Sequence, residues 1–216
     1  MSQLEENTRD KLVSVAKAAS GALPFIGTAI SELMDNVVPN LRFERVVIFL
    51  EKLDSKVSSL ENKLENFKLN VGTEQGLDLL EEGILQASRA VSDVRKIRLA
   101  TIINKSLSEE DIRYEESKKI LNIFRELTDP EVIWLIYFSF PQTLGQGPHS
   151  ELVDIHPDIL KPIPRTLSSP IELQEKAALQ DSYKDTLLKF GLTKINGRST
   201  NITVLGRMLV NYINEE

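Results

Sequence analysis

Seven apolar residues, Val46, Leu50, Leu53, Val57, Leu60, Leu64 and Phe67, recur at alternating spacings of four and three. That is a heptad seam, and Asp54, Lys56, Glu61 and Lys63 fill its flanks. A helix with one narrow apolar stripe is not stable alone in water and must lay the stripe against another helix. A second seam follows in Leu77, Leu80, Ile84, Ala87, Val91 and Val94. Between the two lie Gly72, Gly76 and a candidate helix cap, Thr73. The pattern predicts two rods, about 45–69 and 76–105, folded back as a long antiparallel hairpin. Each rod would be about 40 Å long at ~1.5 Å per residue. Pairing of the first rod with a second copy of the chain is the competing arrangement, a homo-oligomer. The short tether favours the intramolecular one by raising the effective concentration.

Residues 1–40 read as a separate small-residue helical pair. Leu12, Val13, Ala16 and Ala19 share one face, Gly21 is placed to end that helix, and Pro24 suits the first turn of the next. Two readings stay open: tight packing on the rest of the domain, or a segment lying on a membrane through Phe25, Ile26 and Ile30. The longest uncharged run, residues 18–31, is short of the ~20 residues a bilayer span needs and is broken by Gly21, Pro24 and Gly27. The acidic start lacks the basic residues of a secretory signal, and there is no cysteine. Both point to the cytoplasm.

Residues 41–140 form the helical bundle that contains the hairpin. Ser106 and Glu109 have capping-box spacing and predict a helix start; Thr128-Asp129-Pro130-Glu131 predicts another. Residues 132–138 are apolar all round, the mark of a buried helix anchored by Trp134. Six of the nine prolines fall in 141–170, so 141–169 reads as an irregular connection. A further helix starts at Ser169-Pro170-Ile171-Glu172. Residues 192–204 then switch to period two around Asn196-Gly197, a strong hairpin signal. Residues 170–216 therefore read as a winged-helix-like module, and the fold class as mainly α.

The net charge of −6 excludes general coating of nucleic acid. No phosphate-binding, dinucleotide, nucleophile-elbow or zinc-protease motif is present. His149 and His156 stand seven apart without a ligand pattern beside them, so no metal, cofactor or catalytic residue is expected. The functional handle is the C-terminal module, where Lys194, Arg198, Thr200 and Arg207 are the candidate contacts for a partner protein or nucleic acid. In 170–216 six basic residues face six acidic ones, a balance that suits protein contact at least as well as DNA contact.

Phe190-Gly191-Leu192, a short polar insert, and Thr203-Val204-Leu205-Gly206-Arg207 resemble the closing segment of a broad set of uncharacterised bacterial helical proteins. The Abi-alpha type among these is linked to abortive infection by phage. Gly83-Ile84-Leu85-Gln86-Ala87-Ser88 and the later Leu127-Thr128-Asp129-Pro130 turn are similar as well, so the likeness covers about half the chain. Val204 departs from it, standing where that pattern has proline. The resemblance implies a bacterial, non-enzymatic interaction protein in phage defence and supplies no catalytic residue. A membrane-active effector and a DNA-binding regulator are the alternatives.

Overall fold

The computed structural model describes residues 42–58, 61–141, 147–164, 169–197 and 199–214. The helical pair expected over 1–40, with Phe25, Ile26 and Ile30, lies outside the described residues. What is described is mainly helical, with one two-stranded ribbon. It divides into two units: one contains the residues up to Asn122 and those from Tyr212 on, the other Ile123–Asn211.

In the first unit, α1 (Phe43–Val57) buries Val46, Leu50, Leu53 and Val57 completely. Helix α2 (Glu61–Val71) buries Phe67, while Leu64 is only half-buried. Fully burying one such side chain contributes ~1.5–3 kcal/mol, so this stripe is a principal source of stability. The second expected rod is two helices, α3 (Glu74–Arg89) and α4 (Asp93–Leu107). Ala90 between them is extended, with ψ 121°. Three effects make the break, one of them long-range. Arg45 Nη1 donates to the Ser88 and Arg89 carbonyls at 3.4 Å, and the Ala90 N–H closes on Gln86 and Ala87. Ser92 Oγ then accepts the Arg95 N–H at 3.1 Å and caps α4. The seam is correspondingly shorter than its spacing predicts. Leu80, Ile84 and Ala87 are buried, but Val91 is 79% and Val94 53% exposed.

Helix α1 packs on α4 and α3, and α2 packs on α3 and α4. Gly83 permits the close approach. A Cβ there would stand 2.8 Å from an Ile103 side-chain carbon and 3.4 Å from the Phe49 ring. Thr73 caps α3 as expected, accepting the Gly76 N–H at 3.1 Å. Ser106, in contrast, opens no helix: it lies inside α4, which ends at Leu107, and the next helix, α5 (Tyr114–Glu126), starts later. The intervening turn is held by the Asn70 amide, which donates to the carbonyls of Leu107 (2.9 Å) and Glu109 (2.8 Å).

In the second unit, α6 (Asp129–Ser139) starts as the sequence predicts. The Glu131 carboxylate accepts from the Thr128 N–H at 2.6 Å and its hydroxyl at 2.8 Å. The helix is buried nearly all round, which is why it needs no polar face. The proline-rich segment is less irregular than expected. It contains α7 (Pro148–Ile155) and α8 (Pro157–Leu160), each with proline at the first position. There the missing N–H costs nothing and the fixed φ suits the helix. Helix α9 (Ile171–Lys189) follows, then strands β1 (Thr193–Asn196) and β2 (Ser199–Ile202), then α10 (Val204–Ile213). Helix α6 packs against α8, α9 and β2.

Candidate functional site

The ribbon is set at its root by the end of α9. Gly191 has φ 68°, its N–H bonds the Leu188 carbonyl, and the Leu192 N–H bonds the Leu187 carbonyl. This pair of bonds is the Schellman arrangement, which favours glycine because its φ is positive. Thr203 joins the two ends of the ribbon. Its hydroxyl donates toward the carbonyls of Gly191 (2.7 Å) and Leu192 (3.1 Å) and accepts the Gly206 N–H (3.1 Å), while its own N–H bonds the Leu192 carbonyl. Gly206 must be small: a Cβ there would collide with that same Leu192 carbonyl oxygen. Gly191, Thr203 and Gly206, which carry the sequence resemblance, therefore form a structural clamp, and Arg207 is left as its exposed member.

The ribbon's register pairs Thr193 with Ile202, Lys194 with Asn201, Ile195 with Thr200 and Asn196 with Ser199. Antiparallel pairs alternate between hydrogen-bonded and open, and the Thr203–Leu192 bond fixes the phase. Lys194–Asn201 and Asn196–Ser199 are the bonded pairs. The N–H and C=O groups of Thr200 and Ile202 therefore point to the outer edge of β2, away from β1. That edge borders a groove of about 450 Å³, lined also by residues 138–141 at the end of α6 and by Arg207. Phe138 is braced from behind by Trp134 at 5.6 Å between ring centroids, and Lys184 lies 4.3 Å over the Trp134 ring. Trp134 is buried, as expected of a core anchor, yet its indole N–H has no partner among the described residues.

Of the residues singled out from sequence, Thr200 and Arg207 are brought together on the groove. Lys194 is exposed on β1 and is not part of its lining; Arg198 lies outside the described residues. The side chains of Lys194 and Arg207 have no hydrogen-bond or ion-pair partner among the described residues. Sequence reasoning missed the outward backbone of β2. The local signal misleads here: a two-residue turn at Asn196-Gly197 would bond Thr193 to Thr200 and turn the Thr200 groups inward, whereas Asn196 is still in β1 and pairs with Ser199, so the register is shifted and those groups face out. It also missed residues 138–141, which nothing local ties to the ribbon.

The first unit has a polar cluster of a different kind. Asp78 Oδ2 accepts from the Tyr114 hydroxyl at 2.9 Å and from Lys118 Nζ at 2.6 Å. The hydrogen bond to Asp78 raises the Tyr114 phenol above its ordinary value. Burial alone would lower the Lys118 ammonium, but the hydrogen bond and charge of Asp78 outweigh it and hold it raised. Tyr212 donates to Glu116 at 2.8 Å, and its phenol is raised first by burial and then by that bond. These groups are satisfied by one another and tie helices together. Among the described residues no helix is long and apolar enough to cross a membrane, and no three His, Asp or Glu side chains are grouped to hold a metal. No family model, curated protein or solved structure matches the chain.

Proposed function

We propose that this is a non-enzymatic bacterial interaction protein that acts in the cytoplasm by protein–protein contact through its C-terminal ribbon. The resemblance over Phe190-Gly191-Leu192 and Thr203–Arg207 is what supports a role for that contact in abortive infection, as phage defence. The observation that carries the reading is a pair of cations without a partner among the described residues, Lys194 on the ribbon and Arg207 at the start of α10, beside a root held by the Thr203 clamp. Cations left unpaired in solvent cost little, and on a preorganised support they lose little entropy on binding. Helix α9, the ribbon and α10 are read as a winged-helix-like module presenting this surface. Helices α1–α4 are read as a broken form of the long antiparallel hairpin.

The test is a photo-crosslinking amino acid at Asn201, which is exposed on β2, in phage-infected and uninfected bacteria. The expected result is a specific cross-linked protein, which the purified chain binds and which Lys194→Glu, Arg207→Glu weakens at least ~10-fold, or ~1.4 kcal/mol. Cross-links only to DNA, or unaltered binding by the double variant, would contradict it.

A further inference from the structure

The groove beside β2 identifies the kind of partner, an inference that rests on the protein-contact reading above. Three features of the site act together. First, the outer edge of β2 turns the N–H and C=O groups of Thr200, half-buried, and Ile202, 7% exposed, away from β1, and no backbone group among the described residues pairs with them. An unpaired edge of this kind is a template for another strand. Second, the groove alongside is about 450 Å³, within the ~300–1,000 Å³ range of clefts that hold ligands, and its far wall is formed by Phe138 and its neighbours. Third, the one charged side chain in its lining is Arg207, which has no partner among the described residues.

We propose that the groove takes an extended segment of a partner protein as a third strand on β2, with a Glu or Asp side chain of that segment on the Arg207 guanidinium. The planar fork of arginine accepts a carboxylate through two parallel hydrogen bonds, which gives orientation as well as attraction. A peptide strand matches both kinds of backbone group on the edge. A nucleic-acid phosphate has only acceptor oxygens, so it would satisfy the two N–H groups and leave the two carbonyls facing negative charge.

The probe is acetyl-Thr-Val-Thr-Glu-Val-Thr-Val-amide, beside its counterpart with Gln for Glu, titrated into the full chain while backbone amide signals are followed by NMR. The Glu peptide is expected to shift the Thr200 and Ile202 amides and slow their exchange at least ~10-fold, with the Gln peptide bound ~10-fold more weakly. Arg207→Gln, at an exposed site, should make the two peptides equal. Thr200→Pro should abolish binding of both while leaving the ribbon intact, because the Thr200 N–H takes no part in pairing with β1. Lys176→Gln, exposed on α9 and not part of the groove lining, should change affinity less than twofold. The proposal is overturned if neither peptide shifts these amides at millimolar concentration, or if Arg207→Gln keeps the preference for Glu. It is equally overturned if Thr200→Pro binds as wild type, or if a 20-base-pair duplex shifts the same amides and the peptides do not. A cross-linked partner that depends on Lys194 and Arg207 but tolerates Thr200→Pro would leave the protein-contact reading standing and sink strand addition alone.

Discussion

The helical unit and the ribbon handle polar groups in opposite ways. Between α1 and α5, buried or half-buried polar side chains are spent on closing helix ends and joining helices. Asn70 holds two carbonyls after α4, Arg45 covers the end of α3, and Asp78 gathers Tyr114 and Lys118. In the ribbon, the side-chain hydrogen bonds among the described residues are those of Thr203 at the root. Lys194 and Arg207 are exposed, and the outer edge of β2 has no backbone partner among the described residues. Removing a partner from a buried polar group costs its full desolvation, whereas an exposed cation is nearly neutral for stability. The first arrangement is therefore what folding requires, and the second is what recognition can use.

The sharpest contrast comes from the core stripe. Leu53→Ala should cost ~2–5 kcal/mol in urea unfolding because Leu53 is fully buried. Val91→Ala, at a position of equal standing in the heptad pattern but 79% exposed, should stay within ~0.5 kcal/mol. Equal costs would restore the unbroken rod. Next, Gly206→Ala forces a methyl group onto the Leu192 carbonyl and should cost ~1–3 kcal/mol in thermal unfolding. Gly83→Ala should cost less, since the flexible Ile103 side chain can yield and alanine favours a helix. Asn70→Ala leaves the Leu107 and Glu109 carbonyls without their donor, a loss of ~1–3 kcal/mol.

A smaller effect is expected in alkali. The folded state raises both the Tyr114 phenol and the Lys118 ammonium, so each binds its proton more tightly folded than unfolded. Their contribution is complete below the unfolded values of 10.0 and 10.5 and is lost as pH rises through the raised folded ones. Urea midpoints between pH 8 and 11 should therefore fall more steeply for wild type than for Asp78→Asn. Smallest of all, Arg207→Gln should change stability by no more than ~0.5 kcal/mol while removing the preference for the Glu peptide. A large loss of stability would make Arg207 structural and erase the contrast.

Much of the architecture is legible in the residues themselves. The Thr128–Glu131 and Thr73 caps are local effects and are found; the helix after Ser169-Pro170 and the hairpin are found too, each shifted by one residue, with Pro170 as the cap and Asn196 paired within β1. The break at Ala90 is hidden because Val91 and Val94 continue the heptad count. The competing signal, Ser92 as a cap, is a single residue set against a long pattern. Prolines 148 and 157 were read as breakers, but a proline at the first helical position starts a helix. Ser106 and Glu109 have the right spacing for a cap, yet the long-range Asn70 amide decides where that turn lies. The groove is least legible, since residues 138–141 and 199–202 meet only through the packing of α6 on β2.

The central claim is that the outer edge of β2 is open. Amide hydrogen exchange of the free chain tests it most directly by comparing Thr200 with Asn201. Asn201 is the more exposed residue, yet its N–H pairs with Lys194, so it should exchange slowly and Thr200 fast. A protected Thr200 amide, or a fast Asn201 beside it, would contradict the account.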